Sequence, residues 1–537
     1  MLDLGGAAGS FGCVLPPQAC QHRFMSWWVW LLVVVGVLLL VLVVYDLTQR
    51  QHALLRNFPI IGHLRYLLEG VGPELRQYIV VDNDSEKPFS RDQRRWVYTA
   101  SKDRNTYFGF GTDNDIEASP SYLIVKQSSF PLAVPRPADA SYDDLFRVPT
   151  AKVFGGARSR AKAFRAPSIV NLSSMSYGSL GAKAIEALNR GAALAGCYQG
   201  TGEGGVSPHH GFGGELVWQI GTGYFGCRDG DGRFDLVRFS DVVAAHPEIR
   251  MVELKLSQGA KPGLGGLLPG AKVTPEIAAL RGIPEGVDCW SPTRHTAFHD
   301  ADSLLDFVEL LASESGLPVG IKSAVGQLDF FCDLAALMAL GGRGVDFVNI
   351  DGGEGGTGAG PLVFTDHVAF PFKVGFSRVY RVFAEAGVHH DVVFVGAGKL
   401  GLPENALLAF ALGCDAVNVG REAMLSIGCI QAQRCHTGRC PTGVATNSTW
   451  RQRGLDPTVK STRAANYLVQ VRKEVLQLSR ACGVLHPSLV TLDHLEYVDD
   501  RFGTRHAAEV FEYKPGWGLP SPADQDEIRR LVATVRT

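Results

Sequence analysis

Three cysteines close together near residue 435 have the spacing that most strongly indicates bound chemistry. Cys429, Cys435 and Cys440 fall within one short stretch, six and five residues apart, and Pro441 follows the last. Zinc sites usually take four ligands, often in closely spaced cysteine pairs, and thiolates also hold iron–sulfur clusters. The trio favours an iron–sulfur cluster in which three irons, and not four, are bound by protein thiolates. Zinc bound with His436, and a redox or nucleophilic cysteine, remain alternatives.

Two charged residues, Lys322 and Glu203, stand among apolar residues or glycines, where a charge requires a partner or a functional role. Lys322 follows the apolar residue Ile321, and a lysine inside a strand buried on both sides needs a partner or a function. A cation beside the pyrimidine end of a flavin would stabilise the reduced, anionic ring, whereas an ion pair would give the lysine a purely structural role. Glu203 stands among glycines and could bond an amine or imine, unless it is simply a solvated loop carboxylate.

Two glycine-containing turns predict a phosphate site. Gly396-Ala397-Gly398-Lys399 and Gly420-Arg421 each follow a short apolar run. Glycine lets backbone N–H groups approach phosphate oxygens closely, and a helix that begins there favours an anion. Lys399 and Arg421 add positive charge. The alternative is that the glycines only end strands.

The elements that would position these residues form a regular alternation from about residue 165. Eight short apolar runs are separated by polar or helical stretches, at 169–172, 197–199, 251–254, 287–290, 319–322, 347–350, 392–395 and 416–419. Such alternation predicts an α/β protein, a (β/α)8 TIM barrel with long loop insertions at 200–250 and 353–390, and a doubly wound sheet is the rival. In a barrel the residues singled out above would gather at the carboxyl ends of the strands.

One segment near the N-terminus differs from the rest of the chain. Residues 26–45 are apolar except for Ser26 and Gly36, and no charge occurs between Arg23 and Asp46. A helix of about 20 such residues spans a bilayer, whereas the apolar core of a cleaved signal peptide is usually about 7–15 residues long. We expect a single-pass anchor in the cell (inner) membrane. Arginines that follow the span, at positions 50, 56 and 65, place the body in the cytoplasm.

Composition limits the remaining possibilities. The chain has 537 residues, a net charge of −2, 62 glycines and 11 cysteines. The balanced charge argues against a nucleic-acid partner, and the cysteines are too few for a disulfide scaffold. The predicted organisation is a tail (1–25, a start-site artefact if Met25 is the true start), a transmembrane helix (26–45), a membrane-proximal region (46–140), a barrel (141–480) and a C-terminal extension (481–537).

Seven stretches together resemble the FMN-binding synthase domain of glutamate synthase. They are SSMSYGSL (173–180), TGEGG (201–205), LSQGAKPGLGGLLPGAKV (256–273), IKSAVG (321–326), DGGEGGTGAGP (351–361), GAGKLG (396–401) and GCIQAQRCHTGRCPTGVAT (428–446). They occur in the family's order and mark out about half of the chain. NFPIIGHLRYLLEG (57–70), with the apolar segment before it, resembles a membrane-linked, stand-alone branch of this family.

The resemblance implies both cofactors and roles. The barrel would bind FMN, Cys429, Cys435 and Cys440 would bind a [3Fe–4S] cluster, and Lys322 and Glu203 would be catalytic. The implied FMN contacts are Ser176, Gln258, Lys322, Gly352, Gly353, Gly396, Gly398, Gly420 and Arg421. Reduced FMN would pass hydride to an imine formed from 2-oxoglutarate and ammonia or an amine, giving L-glutamate. A ferredoxin or flavoprotein would supply the electrons, and a separate amidotransferase could supply the ammonia.

The chain also departs from the family pattern. It starts Met1-Leu2 instead of with the cysteine nucleophile of an amidotransferase, and Gly396-Ala397-Gly398 replaces Asp-Gly-Gly. No G-x-G-x-x-G fingerprint follows a strand, so we do not expect NAD(P)H to bind this chain. Two other functions stay open: an N-methylglutamate-synthase-like amine transfer, and a non-catalytic, membrane-tethered electron-transfer or scaffold subunit.

Overall fold

Eight parallel strands close into a barrel in the computed structural model, which describes residues 24–117, 119–139, 142–501 and 503–534. The strands follow chain order around the barrel, and the last pairs with the first, Val417 opposite Val170. They are β1 Val170–Leu172, β2 Tyr198–Gly200, β3 Glu215–Ile220, β4 Ile249–Lys255, β5 Val319–Ser323, β6 Phe347–Asp351, β7 Val393–Ala397 and β8 Ala416–Val419. The predicted (β/α)8 barrel is confirmed.

One predicted strand is wrong and one barrel strand was missed. Residues 287–290 do not enter the barrel, because Cys289–Trp290 pairs antiparallel with Leu267–Leu268 in a separate two-stranded sheet. The third barrel strand is Glu215–Ile220, inside the segment that we predicted to be a long loop. Its inward residue Gln219 and its first residue Glu215 are polar, so it does not read as an apolar run.

Alternation along each strand separates an outer face from an inner one. On β4, Val252 and Leu254 pack outward in the large core between barrel and helices, whereas Met251 belongs to the smaller cluster inside the barrel. Glu253 and Lys255 share the inward face with Met251. The inner face therefore changes from apolar near the start of the strand to charged at its end.

Aromatic side chains fill the amino-terminal end of the barrel. Phe347 and Tyr198, at the starts of their strands, pack with Phe154 and Phe164 from a β-bridged loop that precedes β1. All four side chains are buried. The interior is therefore closed at this end, and polar side chains collect toward the other.

Helices between and after the strands cover the barrel. They run Ala182–Ala195, Leu236–Ala245, Pro275–Arg281, Ala301–Ser315, Asp329–Ala339, Leu362–His367, Phe372–Glu385, Pro403–Ala411, Arg421–Ser426, Thr449–Gln452 and Pro457–Ala481. Their ends follow ordinary capping rules: Asp300 accepts a hydrogen bond from the backbone N–H of Ser303, and Gly316 ends the same helix with φ +72°.

Further elements pack around this body. Helix Arg91–Ser101 precedes the barrel, and Leu123–Val125, Leu495–Val498 and Thr504–His506 form a small antiparallel sheet. Short helix Ala507–Val510 and helix Pro522–Thr534 follow that sheet. Together with the barrel they form one compact unit, residues 87–537.

The preceding residues form a separate unit, residues 1–86. In its described part, helix Phe24–Thr48 is followed by Ala53–Asn57, Ile61–Leu75 and a π-helical turn at Arg76–Val80. Trp27–Thr48 is long and apolar enough to cross a membrane, and none of its most apolar stretch is buried. Length and composition alone also fit a signal sequence.

Candidate active site at the barrel mouth

Lys322 lies on β5 at the carboxyl end of the barrel, facing inward. Its side chain is buried, and Nζ lies 3.5 Å from Oδ2 of Asp351, the last residue of β6. Burial lowers the pKa of Lys322, but the carboxylates of Asp351 and Glu253 raise it more, so the net pKa shift is upward. The lysine therefore stays protonated, with its charge held beside the mouth.

A second buried charge, Glu253, was missed by the sequence reasoning. It is on the inner face of β4 and accepts hydrogen bonds from Gln219 Nε2 at 2.5 Å, Asn349 Nδ2 at 2.6 Å and Ser174 Oγ at 3.1 Å. The only sequence signal for it was a carboxylate at an inward position of an otherwise apolar strand. Glu253 gives the barrel a negative charge beneath Lys322.

Glu203 is held by cations and is not a solvated loop carboxylate. Lys255 Nζ lies 3.2 Å from Glu203 Oε2. Burial raises the pKa of Glu203, but Lys255, Lys261 and Arg281 lower it more, and its net pKa falls below the usual value. The side chain is therefore ionised near neutral pH.

Lys261 and Arg281 complete a positively charged wall at this mouth. Both are buried, and an Arg281 amino group donates to the Tyr177 carbonyl at 3.2 Å. Within the described part of the chain, Arg281 Nε has no hydrogen-bond partner. Burial and the neighbouring Lys255 lower the pKa of Lys261, despite the attraction of Glu203. Three cations act on one carboxylate here, which suits an anionic ligand. Arg281 was not among the predicted site residues.

Gln258 and Ser176, predicted to contact a flavin ring, both lie in loops at this end. Gln258 accepts from Lys255 Nζ at 3.1 Å and donates to the Gly356 carbonyl at 2.7 Å, so it joins the loops after β4 and β6. Ser176 is buried and donates to the Ser179 hydroxyl at 3.1 Å. Their contact with a flavin stays a prediction.

The predicted glycines have different surroundings. Gly352 donates to the Ala397 carbonyl at 2.9 Å, and Gly353 donates to the Phe370 carbonyl at 2.8 Å, so the backbone of both is engaged within the protein. A Cβ on Gly396 would lie 2.8 Å from Leu400 and Phe372, so packing also requires glycine there.

Gly398 and Gly420 lie in the two turns predicted to bind phosphate. Gly398 has φ +117°, and a Cβ there would lie 3.0 Å from the Gly352 nitrogen. A Cβ on Gly420 would meet only Ser173, at 3.7 Å, so space is open beside it. Arg421 donates to the Glu354 carbonyl close to this space.

The three cysteines lie in the loop between helices Arg421–Ser426 and Thr449–Gln452, which follow β8. Cys429 and Cys435 are partly exposed and Cys440 is buried. Burial raises the pKa of Cys429 to about 12, and the other two thiols contribute to the same shift. The pKa of Cys440 is lowered despite burial, because the Thr442 hydroxyl and nearby backbone N–H groups hydrogen-bond to its sulfur. The three thiols therefore interact electrostatically.

Across residues 24–117, 119–139, 142–501 and 503–534, no three His, Cys, Asp or Glu side chains come close enough to hold a single metal ion. An iron–sulfur cluster separates its cysteine sulfurs farther than one ion does. The donor chemistry fits a cluster, and neither the cluster nor zinc binding is confirmed by the geometry.

Residues 89–101, here called the strap, cover the cysteine loop. Phe89 N–H donates to Gln431 Oε1 at 3.2 Å, and Gln431 Nε2 donates back to the Phe89 carbonyl at 3.1 Å. The Tyr98 hydroxyl donates to the Cys429 carbonyl at 2.8 Å. The Phe89 ring also lies beneath Lys399 and Arg421, 5.3 and 5.1 Å from their charged groups. A segment predicted to be membrane-proximal thus contributes to this end of the barrel.

Lys272 connects the cysteine loop to the loop after β1. Its buried Nζ donates to the Ser179 carbonyl at 2.6 Å and the Cys435 carbonyl at 3.3 Å. Burial lowers the pKa of Lys272 to about 8, although the thiols of Cys435 and Cys440 oppose the shift. The thiols and the mouth of the barrel are therefore parts of one connected structure.

The family model and the curated relatives agree on one family. The conserved region of glutamate synthase matches residues 145–485. The glutamate synthase large subunit-like protein YerD of Bacillus subtilis is 36% identical over 481 residues, which cover 84% of this chain and 91% of that protein. The archaeal glutamate synthase (NADPH) of Methanocaldococcus jannaschii is 34% identical over 322 residues, and the match spans 59% of each protein.

A solved structure of mandelate oxidase with an FMN adduct covers 83% of this chain and 99% of its own. Its TM-score is 0.39 at 14% sequence identity, a similarity too distant to support a functional conclusion.

Proposed function

Because the chain belongs to the glutamate synthase family, we propose that it is an oxidoreductase that converts 2-oxoglutarate to L-glutamate by reductive amination. Ammonia condenses with the 2-oxo group and releases water, and the resulting imine takes up two electrons and two protons. The observation that carries the proposal is the charged mouth of the barrel, where Lys255, Lys261 and Arg281 surround Glu203 and Lys322 pairs with Asp351.

The residues at the mouth fit FMN. The space beside Gly420, the positive φ of Gly398 and the nearby cations Lys399 and Arg421 suit a phosphate. Lys322 would hold its charge next to the flavin ring, and Ser176 and Gln258 would contact it. When bound, FMN supplies the hydride that reduces the imine.

The cationic wall suits a dicarboxylate. Arg281 Nε, which has no hydrogen-bond partner among the described residues, and the buried Lys261 would both gain from an anionic ligand, because charge-assisted hydrogen bonds would satisfy them. Lys261 and Arg281 would hold the carboxylates of 2-oxoglutarate. Glu203, ionised near neutral pH, would accept a hydrogen bond from the incoming ammonia or the imine nitrogen.

We propose the remaining features as parts of the same enzyme. Cys429, Cys435 and Cys440 would hold a [3Fe–4S] cluster, and a ferredoxin or flavoprotein would donate electrons. A separate amidotransferase could deliver the ammonia. Helix Trp27–Thr48 would anchor the protein in the cell membrane, with its catalytic body in the cytoplasm.

The test uses full-length protein purified in detergent. Flavin released by acid and total iron are measured first, followed by glutamate formation from 2-oxoglutarate and ammonium with reduced methyl viologen. We expect stoichiometric FMN, bound iron and ammonium-dependent glutamate. Lys322→Ala and Glu203→Gln should lower turnover at least 100-fold, about 3 kcal/mol of transition-state stabilisation.

The matched control is Lys162→Ala, an exposed lysine in the segment before β1, which should leave turnover unchanged. Protein with neither FMN nor iron would contradict the proposal. Turnover by oxidised enzyme with glutamate and methylamine, without any reductant, would indicate amine transfer instead.

A further inference from the structure

Helix Ile61–Leu75, which follows the anchor helix, presents an exposed apolar face. At 3.6 residues per turn, a sector of roughly 120° holds every large aliphatic side chain of the helix. These side chains are Ile61, Leu64, Leu67, Leu68, Val71 and Leu75. All six are exposed, from 40% for Leu75 to 72% for Ile61. Arg65 and Glu69 form an ion pair outside this sector, with 2.8 Å between Nε and Oε1.

The start of this helix is fastened to the end of the anchor helix. Asp46 is fully buried, and its Oδ2 accepts a hydrogen bond from the Ile60 N–H at 3.0 Å. Its Oδ1 lies 2.9 Å from Nε2 of His63. Asp46 is also the first charged residue after the apolar stretch. These contacts among Asp46, Ile60 and His63, here called the clasp, fix the start of helix Ile61–Leu75 beside the end of the anchor helix, at the point where the anchor sequence becomes polar.

We propose that helix Ile61–Leu75 lies along a lipid bilayer, with its apolar face in the boundary between headgroups and acyl chains. The inference rests on the proposed membrane location of the anchor helix. If that helix spans the bilayer, Asp46 marks the membrane–water boundary and the clasp places the next helix in it. A helix with one apolar and one charged face is stable in this position, because each face meets the solvent that it requires.

The test places an environment-sensitive fluorescent amino acid at single positions of the full-length protein in phospholipid nanodiscs. The positions are Leu68 on the apolar face, Glu69 on the polar face and Leu38 in the anchor helix. Quenchers are lipids with a doxyl group high or low on the acyl chain, and aqueous iodide. Because all three side chains are exposed, labels there disturb no packed core.

We expect the shallow doxyl lipid to quench the Leu68 label at least two-fold and iodide to leave it nearly unchanged. The Glu69 label should show the reverse, and the deep doxyl lipid should quench the Leu38 label. If the Leu38 label is quenched by lipid but the Leu68 label by iodide, the interfacial position is wrong and the anchor stands. A Leu68 label shielded from both quenchers means that protein covers the face, which also overturns the inference. A Leu38 label insensitive to lipid overturns the membrane location itself.

Discussion

At the scale of single residues, the most consequential side chain is Glu253, a buried carboxylate with three hydrogen-bond donors. A buried carboxylate without its donors lowers the stability of the fold, and so do buried donors that have lost their acceptor. Its negative charge also favours the protonated form of Lys322. Glu253 thus links the strength of the fold to the electrostatics of the mouth.

We predict that Glu253→Gln lowers the free energy of unfolding by roughly 2–4 kcal/mol, because an amide N–H₂ would face donors and leave some of them unpaired. Denaturant unfolding of the purified protein measures the change. The matched control is Glu285→Gln, an exposed position that should change stability by less than about 0.5 kcal/mol. A Glu253→Gln protein as stable as the wild type would refute the assigned role.

His295 makes stability depend on pH. Its Nε2–H donates to the Lys255 carbonyl at 2.9 Å and its Nδ1 accepts from the Tyr224 hydroxyl at 3.1 Å, so it is held as the neutral imidazole. Burial lowers the pKa of His295 to about 4 from an ordinary 6.5. The unfolded chain therefore binds the proton first as the pH falls.

We expect the stabilisation from neutral His295 to be complete above pH 6.5 and to be lost as the pH falls toward 4, by about 2 kcal/mol at pH 5. Unfolding is compared at pH 7 and pH 5 in the wild type and in His295→Gln. The drop should be smaller in the variant, whereas equal drops would show that other groups cause it.

Sequence reasoning singled out Lys322, Glu203 and the cysteines because each stands out from its neighbours in the chain, and their functional roles stay predictions. It missed Glu253 and Arg281 because their meaning depends on distant partners. Arg281 ends a short helix, and only the fold brings it to the Tyr177 carbonyl and near Glu203. A polar residue whose partners lie tens of residues away leaves little local trace.

At the scale of elements, the strap is a support for the cysteine loop. Its hydrogen bonds go to Gln431 and to the Cys429 carbonyl, and its first turn begins with Ser90 in a capping box with Gln93. The strap is thus a regular helix whose position is fixed at both ends. The loop that it holds has no regular strand of its own.

We predict that Tyr98→Phe loosens this loop, because the Cys429 carbonyl loses its donor at a cost of about 1 kcal/mol. In protein treated with an iron chelator, the alkylation rate of Cys429, followed by mass spectrometry, should rise about five-fold, the same energy expressed as a ratio. Tyr107→Phe, an exposed tyrosine just beyond the strap, should leave the rate unchanged. No change in the Tyr98→Phe protein would mean that the loop is held by other contacts.

Most of the strands predicted correctly are short runs of mainly apolar residues. β7, for example, is buried on both faces and consists of apolar residues and one glycine, so it reads as an apolar run. Sequence reasoning missed β3 because the polar residues Glu215 and Gln219 break its apolar pattern. Residues 287–290 were assigned to the barrel because a short apolar run is equally compatible with a strand of an external hairpin. The strap was not predicted at all, because its contacts lie more than 300 residues away.

At the scale of the whole molecule, the chain divides after residue 86. We predict that a chain beginning at Lys87 is soluble without detergent and keeps its Tm within about 2 °C of the full-length protein, a shift equivalent to roughly 2 kcal/mol for a chain of this length. Differential scanning fluorimetry measures the Tm, and the fraction left in the supernatant after centrifugation without detergent measures the solubility. A chain beginning at Lys102 lacks the strap and should melt earlier, with faster alkylation of Cys429. Aggregation of the chain that begins at Lys87 would show that the first unit is needed for folding.

Closure of the barrel affects how the protein folds during synthesis. One edge of β1 finds its partner only when β8 has been synthesised, because Val170 pairs with Val417, about 250 residues later in the chain. At roughly 5–20 residues per second, translation leaves one edge of the nascent sheet unpaired for about 12–50 s. An unpaired edge is a template for association with other chains. Chaperone demand should therefore peak while ribosomes translate the region between β1 and β8, long after the N-terminal helix has left the exit tunnel.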